Sequence, residues 1–391
     1  MSVFRRERDN NSIRLTIVLC VLAVPHCRAQ ESRFPRSFTQ TPIGINKLLW
    51  RQQIPSNNPL STRKVKLGEA LFFDKRLSID GTVSCATCHD PAVAFTDSRT
   101  VAMGAGTKLG SRNTPTILNA VFSESFFWDG RARSLEDQVR HPLLSSFEMN
   151  MESKEGVTKR LSAIPEYRRQ FSEVFKSEGL TVDTIAKAIA AYERTLLSGN
   201  SPFDRFIAGN STALTDAQKR GWTIFNGKAK CIECHAYSSA IPFFTDFKFH
   251  NTGIAAADKL FDKLVGTVAK SSTEITMTPL AHSTGFSELG RFVVTLQQED
   301  IGSFKTPTLR DAELTSPYMH DGSLKTLIDV VQFYNRGGNP NSHLDKLVNR
   351  LQLSDEEVND LVQFIRSLTS DDVLRVCQTT NPQTRTAVPV K

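Results

Sequence analysis

Cys85-Ala86-Thr87-Cys88-His89 and Cys231-Ile232-Glu233-Cys234-His235 are the two stretches whose reading decides the fold. Two cysteines three residues apart on a helical turn can form thioethers with the two vinyl groups of one haem, and the histidine that follows then ligates the iron. A four-cysteine zinc site or a thioredoxin-like pair would leave the histidine after each pair without a reason. The motifs therefore predict two covalently bound c-type haems, with His89 and His235 as proximal ligands.

Outward from these motifs the pattern is mainly helical. Residues 136–144, 157–164, 185–197 and 355–368 carry apolar side chains at three- and four-residue spacing, while strand-like alternation is scarce. Thr181 and Ser354 supply caps followed by acids in the first turn. Gly, Asn, Ser and Pro cluster at 199–209, which places a boundary between a first domain at 47–204 and a second at 205–377. Residues 255–291 read as a less regular excursion within the second domain, and 378–391 as a tail.

The chain begins with Arg5, Arg6, Arg8 and Arg14 ahead of an apolar run at 15–24, then Cys27-Arg28-Ala29. A basic head, a short apolar segment and a small-residue site predict a signal peptide over 1–29, cleaved near Ala29, and export to the periplasm. The run is half of what a spanning helix needs, so no stable membrane anchor is expected. Residues 30–46, rich in Ser, Thr, Pro and Arg, read as an irregular leader.

The whole chain has 391 residues, 39% of them hydrophobic and 23% charged, a composition that excludes disordered, collagen-like and small disulfide-framework classes. Its formal charge of +7 shrinks once the five arginines and two acids of 1–29 are set aside, leaving 43 basic and 39 acidic residues and a charge of +4. That is too mild and too dispersed for nucleic acid or an anionic membrane. Of seven cysteines, four lie in the haem motifs, two in 1–29, and Cys377 stands alone.

Function turns on the sixth position of each iron: two strong ligands make an electron carrier, whereas one open position admits peroxide. His141, His250, His282, His320 and His343, the sulfurs of Met149, Met277 and Met319, and Tyr334 are all available, and residue chemistry alone does not choose among them.

Further stretches carry a resemblance. They are Leu67-Gly68-Glu69-Ala70-Leu71-Phe72-Phe73-Asp74, Arg112-Asn113-Thr114-Pro115-Thr116, Phe127-Trp128-Asp129-Gly130-Arg131-Ala132, Phe147-Glu148-Met149, Lys305-Thr306-Pro307-Thr308-Leu309-Arg310 and Pro317-Tyr318-Met319-His320-Asp321-Gly322-Ser323. With the haem motifs, they make the chain similar to the bacterial di-haem cytochrome c peroxidase and MauG family from about residue 60 to 368. The resemblance implies two mostly helical cytochrome c-like domains with long irregular loops, an N-terminal haem where peroxide reacts and a C-terminal haem that passes electrons.

The resemblance assigns residues position by position. Glu148, twenty residues after Trp128, matches the carboxylate of the peroxidatic pocket; O–O cleavage needs a base for the inner oxygen's proton and an acid for the leaving one. Gln138 matches the pocket glutamine, Pro142 a proline lining the same pocket, and Trp128 the indole between the haems. One calcium ion is implied at Asn113, Thr315 and Pro317, where hard oxygen donors suit it.

Two departures from the peroxidase branch point to the MauG-like one. The loop at 101–110 holds no histidine to close the first haem, so its iron is expected to be open at rest, with Met103 a weaker substitute ligand. Tyr334 stands fourteen residues after His320, where a methionine is usual; a phenolate stabilises higher oxidation states, whereas a thioether raises the potential.

The expectation is a periplasmic peroxidase reducing hydrogen peroxide with electrons from a small c-type cytochrome or cupredoxin. A MauG-like oxidase acting on a partner protein's side chains is one alternative, although Ala229 and Lys230 before the second motif offer no aromatic relay. The other is a non-enzymatic di-haem electron carrier.

Overall fold

The computed structural model of the chain describes residues 40–257, 261–270 and 286–380. The expected signal peptide, Met277 and His282, and most of the expected leader and tail lie outside the described residues.

Each motif is carried by a pair of crossing helices. In the first half, Thr62–Phe72, capped by Ser61, crosses Val182–Glu193, capped by Thr181. A Cβ on Gly68 would stand 1.9 Å from the carbonyl oxygen of Ala188, so only glycine lets the helices approach this closely. The second half repeats the device: Asp216–Asn226 crosses Asp355–Arg366, and a Cβ on Gly221 would stand 2.0 Å from the Asp360 oxygen. Leu135–Leu144, started by Ser134, packs on Val182–Glu193 and completes the first core around Leu71, Phe72, Ile185 and Ile189. The second core is aromatic, with Phe203, Trp222, Phe225, Phe244 and Phe364 in mutual edge and tilted contact. This is the mainly helical fold expected. Among the described residues, sheet is confined to Phe249–His250 paired antiparallel with Phe304–Lys305.

Several boundaries differ from the sequence reading. The Gly, Asn, Ser and Pro cluster at 199–209 contains a helix, Pro202–Ile207, because Ser201 and Asp204 form a capping box with Pro202 in the first turn. Phe203 is wholly buried in the second core, and Arg310 closes a buried bidentate pair on Asp204 at 2.7 and 2.9 Å. The helix expected to reach 197 ends at Glu193.

The excursion at 255–291 includes a helix, Phe261–Lys270, and Phe261 joins Phe292, Val293 and Phe304 in a small third core beside Trp128. The last helix, Asp371–Thr380, runs into the expected tail. It returns to the first core, burying Val373 there and bringing Cys377 Sγ within 3.7 Å of Pro91 O. No helix among the described residues is long and apolar enough to cross a membrane.

Candidate active site

Both Cys-x-x-Cys-His segments open onto one continuous cavity. Cys85–Cys88 is a single helical turn and Cys231–Glu233 a tighter 3₁₀ turn. In each, the histidine N–H donates to the carbonyl of the first cysteine at 2.8 Å, a geometry that gathers both cysteines and the histidine on one face.

The imidazoles are then fixed from behind. His89 Nδ1 lies 3.1 Å from Phe95 O, and His235 Nδ1 lies 3.0 Å from Phe244 O. With the proton assigned to Nδ1 to satisfy these carbonyls, Nε2 keeps its lone pair. Phe95 and Phe244 both have left-handed backbones, with φ of 59° and 53°, a conformation that costs a residue with a Cβ roughly 1–2 kcal/mol. Its recurrence at both sites aims each carbonyl at its ring.

Burial keeps the rings neutral, lowering His89 to about 4 and moving His235 in the same direction. The four motif cysteines form no disulfide and line the cavity wall. Two such cysteines with an oriented, neutral imidazole at each end fit thioether-bound haem.

Across from the first motif the wall is polar at a few chosen points. Gln138 and Pro142 sit one turn apart on Leu135–Leu144 and both line the cavity. Glu148 follows in a turn held by its N–H to Ser145 O at 3.1 Å and by Ala105 N–H to its own carbonyl at 2.7 Å. Its Oε2 is buried without a hydrogen-bond partner, and burial pushes the carboxyl above its ordinary value, with the Arg131 guanidinium opposing. An acid left this way holds its proton more readily than a solvated carboxyl does. The histidine-free loop lies directly against it: a Cβ on Gly104 would stand 2.6 Å from Glu148 Cα. Met103 bonds Cys88 Sγ only through its backbone oxygen, at 4.0 Å, and does not line the cavity.

Beside the second motif, Tyr334 enters the cavity from the last turn of Leu327–Asn335. Burial, followed by the nearby Cys234 and Cys231 thiols, raises its phenol well above the ordinary range, and its hydroxyl bonds none of the described residues. The described histidine candidates are committed elsewhere or face away. His250 spans Asp345 at 2.6 Å through Nδ1 and Asp246 at 2.9 Å through Nε2, and His320 Nε2 meets Glu288 at 2.9 Å while stacking on Phe304. His141 and His343 do not line the cavity; Met149 and Met319 do.

Trp128 lines the same cavity, its indole N–H donating to Asn113 O at 2.9 Å. Asn113 Nδ2 donates to Arg99 O at 2.7 Å and its N–H to His320 O, which brings it to the same wall as Thr315 and Pro317 and leaves Oδ1 to accept. Asn113 and the two backbone carbonyls are neutral oxygens of a kind that suits calcium, with water completing the shell. The described residues contain no cluster of three His, Cys, Asp or Glu side chains suited to a metal.

Three features of this wall escaped sequence reading. Asp129 is wholly buried between Arg112 at 2.6 Å and Arg131 at 2.9 Å. Burial works to raise its carboxyl, yet the two guanidiniums hold it down to about 2. Lys305 is half-buried, donating to Ser123 Oγ and Ser125 O at 2.9 and 2.6 Å, and the burial of its ammonium lowers it to about 8. Glu193 lines the cavity beside Cys85. The first two lie in or beside the quoted family stretches, which flagged the positions without a role; Glu193 carried no signal at all.

A family model described as di-haem cytochrome c peroxidase matches residues 62–212. The chain is 34% identical over 356 residues to the methylamine utilization protein MauG of Methylophilus methylotrophus, covering 90% of this chain and 94% of that one. It is 36% identical over 333 residues to the cytochrome-c peroxidase IdrP1 of a Pseudomonas species, covering 82% and 84% of the two chains. Among solved structures it is similar to a MauG-like protein associated with microbial copper homeostasis, with a TM-score of 0.69, 31% identity, and 85% and 95% of the chains covered. With its fold, its two haem motifs and its shared cavity, the chain belongs to the di-haem cytochrome c peroxidase family, a family of peroxidase-type oxidoreductases that carry two c-type haems.

Proposed function

We propose that the chain is a periplasmic peroxidase that reduces hydrogen peroxide on the open side of the His89 haem, with the signal peptide cleaved near Ala29 and the haems housed in domains at 47–204 and 205–377. The observation that carries this reading is the unpartnered Oε2 of Glu148, buried in the same cavity as the first motif. Bound haem supplies an iron that exchanges electrons with peroxide.

The chain's own residues manage protons and position. Glu148 accepts the proton of the peroxide oxygen nearer the haem and delivers it to the outer oxygen, which leaves as water. Gln138 would donate a hydrogen bond to the peroxide, and Pro142 closes the pocket with an apolar wall that excludes bulk water. The balanced reaction takes one hydrogen peroxide, two protons and two electrons to two waters.

Tyr334 would join His235 in holding the second haem iron, and the Trp128 indole would lie on the path by which oxidising equivalents pass between the two haems. A calcium ion on Asn113, Thr315 and Pro317 fixes the wall between them. The electrons come from a small c-type cytochrome or cupredoxin.

A second reading rests on Tyr334. An anionic donor makes the second site a poorer acceptor of electrons from a high-potential carrier and a better store of oxidising equivalents. In that version the reductant is a side chain of a partner protein, although Ala229 and Lys230 supply no aromatic step towards it.

The test is hydrogen peroxide turnover with an artificial donor. Turnover is expected in the enzyme as isolated and should collapse in Glu148→Gln; unchanged turnover in that variant sinks the assignment. Candidate cytochromes and cupredoxins then separate the two versions by whether they sustain turnover.

A further inference from the structure

Glu193 is a buried acid that the proposed chemistry leaves unused. It ends the helix Val182–Glu193, is 4% exposed, and lines the cavity near Cys85. Its Oε2 has no hydrogen-bond partner.

The counter-charge one would look for is its neighbour Arg194, but consecutive helical residues point about 100° apart. Arg194 is bidentate on Glu136 at 2.7 and 2.8 Å. Two further cations on the packed helices are spent as well. Lys64 of Thr62–Phe72 donates to Asn58 Oδ1 and Pro59 O, and Arg160 of Lys154–Ser162 donates to the carbonyls of Ser78 and Ile79. Burial, with Glu136 adding to it and Arg194 opposing, pushes Glu193 up to about 8. A carboxyl in this setting is ionised only on the alkaline side of neutrality, which is where it can take up a proton, and its charge responds to other charge in the cavity.

We propose that Glu193 is the proton-coupled group of the first haem site: its carboxylate takes one proton from water when the site gains one electron from the donor, and returns that proton when the electron leaves. Electron and proton arrive together, so the buried cavity gains no net charge, which is the cheaper arrangement in a low-dielectric wall. This rests on the reading that a haem is attached at Cys85 and Cys88 and not on the role of Glu148, which the turnover of Glu148→Gln tests separately.

The experiment is a spectroelectrochemical titration of the first haem in the loaded enzyme from pH 6 to 10. The wild type should show a limb in which the one-electron equilibrium changes tenfold per pH unit, about 59 mV. In Glu193→Gln, which keeps the shape and removes the titration, that limb should vanish. A merely structural residue would shift the potential at every pH and leave the slope intact. Absence of the limb from the wild type, or its persistence in Glu193→Gln, overturns the proposal and assigns any slope to the haem's own carboxylates. If Glu193→Gln does not load haem, Glu193→Asp decides the matter: a limb displaced along the pH axis supports the role, and an unmoved limb refutes it.

Discussion

The two Cys-x-x-Cys-His segments are nearly superimposable in logic and opposed in surroundings. Each lies beside a helix pair crossing at a glycine, Gly68 in one half and Gly221 in the other. Each histidine is fixed through Nδ1 by the carbonyl of a phenylalanine in the left-handed region. What differs is the wall opposite. The first motif shares the cavity with Glu148, whose Oε2 lacks a partner, and with Gln138 and Pro142. The second has Tyr334 in reach of its cysteines, and His250 locked between two aspartates. The lesson is that attachment chemistry is duplicated while reactivity is written in the segments that cross over each motif.

The largest blow to this comparison removes one side of it. Cys85→Ser combined with Cys88→Ser should lower covalent haem from two per chain to one, counted as the pyridine haemochrome, whereas matching losses at both sites would mean that the halves do not load independently. Next, Glu148→Gln should cut peroxide turnover by roughly 10²–10⁴-fold at unchanged haem content. Among the described residues, the carboxylates that line the cavity, Glu148 and Glu193, both act on the first motif, so a similar loss from a change at the second would blur the distinction between the walls.

Smaller in effect, Tyr334→Met should raise the reduction potential of the second haem, because a neutral thioether replaces an anionic donor. An unchanged potential would show that Tyr334 is not a ligand. The mildest test concerns the wall between the motifs. Asp129 has a depressed carboxyl, so its stabilisation is fully present above its unfolded value of 3.8 and is lost as pH falls through about 2. Thermal melting should therefore be insensitive to this group at pH 5 and 6 and should weaken below pH 4; an Asp129→Asn variant with unaltered acid sensitivity would remove the cluster from the account.

Much of this was legible in the chain itself, for reasons of range. Haem attachment is a local motif, and the helices started by Thr181 and Ser354 follow from local capping chemistry, so both read directly. The cluster at 199–209 misled because serine, proline and aspartate that start a helix have the same composition as a linker; only the burial of Phe203 against Trp222 and Phe364 separates them. Asp129 between Arg112 and Arg131 depends on a contact across seventeen residues, and Glu193 beside Cys85 on one across more than a hundred. A buried acid has no sequence pattern of its own, since its meaning lies in what fails to pair with it.

The central claim is that one haem site is open and the other closed by Tyr334, and electron paramagnetic resonance of the fully oxidised protein as isolated tests it most directly. The account predicts a high-spin ferric signal from the site at His89 together with a low-spin signal from the site at His235. Two low-spin signals, with no spectral change on adding peroxide, would contradict it and make the protein an electron carrier.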